Sequence, residues 1–141
     1  MTETIASAVL RVARADADLV DHPINPDWVI EGAPHARISE WAESLDGTTS
    51  HWTWDCTAGT FRWYYAVDET IVIVDGGMTI QVEGDAPLTL SAGDAAYFTA
   101  GNWVTWTVPT YVRKHAVVRV PVPRAMRYAV NGFGRRTHRL R

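Results

Sequence analysis

The sequence predicts an all-β fold, an antiparallel sandwich or barrel, and three observations support this prediction. After Asp46-Gly47, short segments alternate apolar and polar residues with a period of two, as half-buried strands do. Turn-forming glycine, asparagine, aspartate and proline residues separate these segments. Helical periodicity is almost absent. Strands at this spacing are typical of antiparallel sandwiches and barrels.

The predicted strand segments follow one another closely along the chain. In residues 69–74 the run of β-branched side chains predicts a strand that is buried on both faces. Pro121 and Pro123 end the last strand, because proline cannot donate a hydrogen bond to a sheet. Before these segments, Pro23 and Pro26 disfavour a helix across residues 21–27. The segments are residues 49–56, 60–65, 69–74, 78–82, 88–90, 95–98, 103–108 and 111–120.

Length and composition predict one soluble domain. The 141 residues divide into an N-terminal arm at 1–23, a barrel at 24–122 and a basic tail at 123–141. We expect no signal peptide, since the N-terminus carries an early acid and no basic region leading into a long apolar run. We expect no membrane span, since no apolar stretch approaches ~18 residues. Cys56 is the only cysteine, so no intrachain disulfide can form. This fits a reducing, cytoplasmic location.

The charge of the chain is distributed unevenly along its length. All sixteen acidic residues precede Arg113, whereas the segment from Arg113 to Arg141 holds nine of the thirteen basic residues. Such a tail could contact nucleic acid or an acidic lipid surface. It could equally fold back onto the acidic body of its own or of a partner subunit. The second interpretation needs fewer assumptions, so we expect neither a nucleic-acid nor a membrane partner.

A series of short motifs then carries a family resemblance. The motifs are residues 26–32, Trp54-Asp-Cys-Thr-Ala-Gly59, Phe61-Arg-Trp63, Asp68-Glu69, Gly93-Asp94, Phe98-Thr-Ala-Gly101, Trp106 and Val112-Arg-Lys114. Over residues 24–120 the chain resembles small single-domain cupins, similar to the cupin domain of (S)-ureidoglycine aminohydrolase and to the ethanolamine-utilisation cupins. The resemblance implies an RmlC-like jelly roll: a double-stranded antiparallel β-barrel with an N-terminal arm. It also implies a homodimer.

The resemblance also locates the positions that usually ligate the cupin metal. In the first motif, with Glu69 and Gly76 as anchors, the two histidine positions hold Trp63 and Tyr65. In the second motif the histidine position holds Val104. Tryptophan and valine cannot ligate a metal, and tyrosine rarely does, whereas transition metals need several donors. We therefore predict no tightly bound metal or cofactor; a divalent metal such as Mn or Ni is the weaker alternative.

Glu69 and Tyr65 are the candidate catalytic residues. An aromatic barrel removes water from a carboxylate and favours its neutral form, so Glu69 is a candidate general acid or base. Tyr65 could donate a hydrogen bond to Glu69 or to a ligand. Alternatively, Glu69 is a buried carboxylate that is paired with Arg62, Lys114 or a tyrosine hydroxyl and serves only the fold.

Ligand contacts are predicted for Trp63, Trp106, Val104 and Lys114. Five of the seven tryptophans lie between Trp52 and Trp106. They predict either a well-filled core or an aromatic-lined cavity. Lys114 is the only lysine. It either faces the cavity, where it could pair with a carboxylate ligand or with Glu69, or it is a solvated strand residue.

Three functional hypotheses stay open at this point, and whether the protein is an enzyme is one of the open questions. The first is a metal-free module that binds a small polar or carboxylate ligand. The second is a small-molecule enzyme of the ureidoglycine aminohydrolase type with Glu69 as acid or base. The third is a regulatory or nucleic-acid-associated protein that acts through its arginine-rich tail.

Overall fold

Eight antiparallel strands form the body of the part of the chain that the structure describes. The structure is a computed structural model that describes residues 8–13, 18–127 and 129. Short 3-10 turns lie at Pro26–Trp28 and Arg124–Met126. The prediction of an all-β fold is confirmed. The strands are β1 Val20–Asp21, β2 Val29–Gly32, β3 Ala36–Glu43, β4 Thr49–Tyr65, β5 Asp68–Gln81, β6 Leu88–Ser91, β7 Ala95–Phe98 and β8 Asn102–Arg119.

The three long strands β4, β5 and β8 each take part in two half-sheets. The first half of β4 pairs with the second half of β8, from Thr49 opposite Arg119 to Thr57 opposite Tyr111. The second half of β4 pairs with the first half of β8. Strands β3 and β7 flank one half-sheet, and β2 and β6 flank the other. Bending of the long strands brings the two half-sheets face to face, which gives the predicted double-stranded jelly-roll barrel.

The bends correct the predicted strand boundaries. Segments 49–56 and 60–65 are one strand, as are 69–74 with 78–82 and 103–108 with 111–120. The turn signals between them mark bends with register shifts rather than chain reversals. At Gly76, φ is +67°, and a Cβ atom would lie 1.9 Å from the carbonyl oxygen of Tyr111. Only glycine therefore allows β5 to bend against β8 there.

Three strands were not predicted, β1, β2 and β3. Strand β3 pairs with β4, with Ala36 opposite Cys56 and Ile38 opposite Trp54. Ala36 is fully buried in the core. The local sequence of β3 shows a weak alternation that a bulge between Glu40 and Ala42 interrupts. Its strand conformation follows from pairing with a distant segment, which a local pattern does not reveal.

The prediction that residues 69–74 are buried on both faces is wrong. Ile71 and Ile73 are buried, but Thr70 is exposed and Val72 is 43% exposed. In the described residues, one face of this part of β5 packs on the core and the other is open. An antiparallel sheet with one covered face has this alternation.

The two ends of the chain lie only partly within the described residues. β1 pairs with β3, and residues 8–13 form neither a strand nor a helix. Arg113, Lys114 and Arg119 belong to β8, so the basic segment begins inside the barrel. Most of the predicted basic tail, and with it any contact of that tail, lies outside the described residues. No helix in the described ranges is long and apolar enough to cross a membrane.

Candidate functional site

An aromatic cavity of about 380 Å³ lies between the two half-sheets. Both half-sheets contribute to its wall, because alternate side chains of the facing strands point inward. The segment that precedes β2 also contributes, through His22. The lining is predominantly apolar, and Lys114 and Glu69 are its two oppositely charged side chains. The lining residues are His22, Ile38, Ser50, Trp52, Trp54, Phe61, Trp63, Tyr65, Glu69, Trp106, Lys114, Ala116 and Val118.

Lys114 and Glu69 form an ion pair in the wall of the cavity. The Lys114 Nζ donates to Glu69 Oε2 at 3.0 Å. The side chains are 7% and 15% exposed, respectively. They extend from neighbouring strands, β8 and β5, on the inward face. Of the two alternatives for Lys114, the cavity-facing one is therefore correct and the solvated one is wrong.

Two tryptophan rings complete the surroundings of the Lys114 ammonium. Nζ lies 4.9 Å from the centre of the Trp54 ring and 4.7 Å from that of Trp106. These distances are in the range of cation–π attraction, which strengthens where water is excluded. Arg62, another predicted partner of Glu69, is exposed and instead lies 4.6 Å from the Trp103 ring. The structure thus selects Lys114 as the partner of Glu69.

Tyr65 lies beside this pair but makes a different hydrogen bond from the predicted one. It is 3% exposed, and its hydroxyl oxygen accepts a bond from Trp106 Nε1 at 3.1 Å. Its ring stacks on Phe98 with centroids 4.4 Å apart. Burial, and then the negative charge of Glu69, raise the pKa of Tyr65 well above its usual range. The hydroxyl therefore stays protonated, and no described residue accepts its proton.

The segment before β2 forms part of the cavity wall, which sequence reasoning missed. Trp63 is half-buried and lines the cavity. Its ring meets Trp28 edge-on at 5.3 Å, and His22 lies 6.5 Å away. No local signal marks His22 as a cavity residue. By contrast, Ala116 and Val118 follow Lys114 at a spacing of two, so their inward direction could have been inferred.

Val104 and Cys56 lie in the core. Val104 is 3% exposed and pairs with Trp63 between β8 and β4. It is absent from the cavity lining, so the structure does not bring it together with the other predicted ligand contacts. Cys56 is fully buried, and burial raises the pKa of its thiol to about 12. Cys56 is thus a packed, unreactive residue.

A family profile described as the EutQ-like cupin domain matches residues 43–116, more than half of the chain. The chain belongs to the EutQ-like cupin family. A search of curated proteins finds no match.

Solved structures agree with this assignment at the level of the fold. The EutQ-type ethanolamine utilisation protein of Salmonella typhimurium LT2 is 21% identical with a TM-score of 0.54, over 60% of this chain and 69% of that one. The Clostridium difficile EutQ protein is 20% identical with a TM-score of 0.55, over 62% and 64%. A DUF861-family protein of unknown function from Pseudomonas syringae pv. tomato is 26% identical with a TM-score of 0.67. That match covers 72% of this EutQ-like cupin and only 44% of the Pseudomonas chain.

The site of this EutQ-like cupin does not fit the metal that cupins usually hold. At the corresponding positions, Trp63 and Val104 offer no donor atom, and Tyr65 uses its oxygen to accept from Trp106. Glu69 already binds an ammonium group at 3.0 Å, where a metal cation would have to compete. Across the described ranges, no three His, Cys, Asp or Glu side chains lie close enough to hold an ion. That the protein in solution holds no tightly bound metal stays a prediction.

Proposed function

We propose that this EutQ-like cupin binds a small polar or carboxylate ligand in its aromatic cavity, without a tightly bound metal. The observation that carries the proposal is an ion pair, Lys114 with Glu69, in the wall of a cavity of about 380 Å³. Small-molecule sites are commonly concave, mostly apolar, and provided with a few polar groups that orient the ligand. The cavity has each of these features.

The polar groups have hydrogen-bonding capacity to spare. An ammonium group has three N–H donors, and among the described residues Lys114 gives one hydrogen bond, to Glu69. The second oxygen of Glu69 accepts none from those residues, and the Tyr65 proton has no acceptor among them either. A ligand in the cavity can therefore form several new hydrogen bonds.

The same contacts favour binding over acid–base catalysis. One carboxylate oxygen of Glu69 is already occupied, since Oε2 accepts a hydrogen bond from Lys114 Nζ at 3.0 Å, whereas a general base must have its oxygen within hydrogen-bond reach of the proton that it removes. The pair is thus better suited to orient a ligand than to remove a proton from it. This supports the first of the three hypotheses over the second.

Benzoate and benzamide are suitable first probes, the smallest aromatic carboxylate and the corresponding polar neutral molecule. We expect saturation-transfer NMR to detect at least one of them on the wild-type protein. Ala116→Phe, which fills the cavity from its wall, should abolish that signal. Ala92→Phe is the matched control, because Ala92 is exposed in the turn that follows β6 and does not line the cavity. Equal binding to wild type and to folded Ala116→Phe would place the ligand elsewhere and refute the proposal.

A further inference from the structure

The charge balance of the cavity specifies the class of ligand more narrowly. Resting on the proposed function, we propose that the ligand is electrically neutral, with an apolar, ring-sized body and a head group that both donates and accepts hydrogen bonds. A carboxamide is the simplest such group. The inference rests on the ion pair and on the apolar wall around it.

The fixed charges of the lining cancel. Lys114 contributes one positive charge and Glu69 one negative charge, 3.0 Å apart. A carboxylate ligand would place two anions beside one ammonium, and an amine ligand would place two cations beside one carboxylate. In a largely desolvated site, a like charge of this kind is costly because little water is available to screen it. A neutral ligand leaves the net charge of Lys114, Glu69 and the ligand at zero.

The unused hydrogen-bonding groups of the pair suit a head group with a donor and an acceptor on one carbon atom. The carbonyl oxygen of a carboxamide can accept from a remaining N–H of Lys114. Its NH₂ group can donate to the Glu69 oxygen that receives no hydrogen bond from the described residues. The ion pair then stays intact, whereas an ionic ligand would compete with one member of the pair for the other. Breaking a buried pair leaves an uncompensated charge.

The walls select the body of the ligand. Trp52, Trp54, Phe61 and Trp63 line the cavity and present aromatic surfaces. Aromatic rings pack on such surfaces in offset or edge-on arrangements, which adds to the energy of apolar burial. A single six-membered ring is well within the size of a 380 Å³ cavity. The apolar wall provides little compensation for charge elsewhere on the ligand.

Three probes with one benzene ring, similar size and different charge test the inference: benzamide, benzoate and benzylammonium. Isothermal titration calorimetry at pH 7 measures each against the wild-type protein. We expect benzamide to bind at least about tenfold more tightly than either ion, since juxtaposed like charges in a desolvated site weaken binding strongly.

Variants of the pair should change the preference in a defined direction. Glu69→Gln leaves a net positive cavity and should favour benzoate, whereas Lys114→Met leaves a net negative one and should favour benzylammonium. The double variant is neutral again and should favour benzamide. Arg62→Met and Glu31→Gln are matched controls, because each removes one exposed charge that is not in the cavity lining. Both should keep the wild-type order of affinities.

The possible outcomes separate this inference from the proposed function. Benzoate or benzylammonium binding to the wild type as tightly as benzamide would overturn the inference and leave ligand binding in the cavity standing. An unchanged order of affinities in folded Glu69→Gln and Lys114→Met would do the same. If none of the three probes binds, both proposals fail. Should the single variants not fold, a preference for an ion in the charge-neutral double variant would still refute the inference.

Discussion

The ion pair of Lys114 and Glu69 is the residue-scale feature on which the site depends. Both side chains are largely removed from water, and two tryptophan rings hold the ammonium in place. Removing water from a charge is unfavourable, so each partner depends on the other. Stability and ligand preference should therefore respond to changes of either residue.

Lys114→Met should destabilise the protein by about 3 kcal/mol, because it leaves the Glu69 carboxylate without its partner. Adding Glu69→Gln should restore most of that loss. Urea unfolding followed by tryptophan fluorescence measures both effects. Arg62→Met is the control and should stay within about 0.5 kcal/mol of the wild type. A Lys114→Met cost as small as that of the control would show that the pair contributes nothing to stability.

The chemical identity of the site residues was predictable from the sequence, but their contacts were not. The sequence predicted that Trp63, Tyr65 and Glu69 face inward, and all three line the cavity. The direction of Lys114 stayed open, since a strand residue can point to either face until its register is known. Val104 was expected beside them because it occupies a family position, yet it packs in the core.

At the scale of the elements, the bends in β4, β5 and β8 create the space for the cavity. Each long strand crosses from one half-sheet to the other at its bend. Glycine and proline residues predicted that each strand is interrupted at these places. They did not predict that the same strand continues after the bend. Whether a glycine reverses or only bends a chain depends on which strand lies next to it, and that information is non-local.

Gly76→Ala should be much more damaging than Gly84→Ala. Both glycines have positive φ, +67° and +86°, so alanine at either position carries a conformational cost of about 1 kcal/mol. Around Gly84 nothing lies within 4 Å, whereas the new Cβ at position 76 would collide with the Tyr111 backbone. We expect a further loss on the order of 3 kcal/mol for Gly76→Ala alone. If the two variants unfold at similar temperatures, the close approach of the Tyr111 backbone does not explain the glycine at position 76.

At the scale of the whole molecule, the outer face of β5, β7 and β8 carries exposed apolar side chains. Val72 is 43%, Tyr97 62% and Val117 36% exposed, and the register places them on adjacent strands. Trp41 lies on the same outer face, beside His115. Its indole nitrogen Nε1 is buried and has no hydrogen-bond partner among the described residues. Apolar patches of this kind commonly mark interfaces. We propose that a second copy of the chain covers this face in a homodimer.

Tyr97→Asp should then shift the protein from dimer to monomer, because it replaces an exposed aromatic side chain of the patch with a charge. Size-exclusion chromatography with light scattering measures the mass directly. Leu88→Asp is the matched control: Leu88 is 61% exposed but lies on β6, in the other half-sheet. A dimer that survives Tyr97→Asp, or a monomeric wild type, would contradict the proposed interface.

Local pattern and three-dimensional pairing thus account for different parts of this protein. Period-two alternation and turn residues were enough for the all-β class and the inward face of β4, since each depends on near neighbours in the chain. The strand conformation of β3, the partner of Glu69 and the place of His22 in the cavity wall depend on contacts between segments far apart in sequence. Such contacts follow from strand register and burial, which become defined only when the barrel closes.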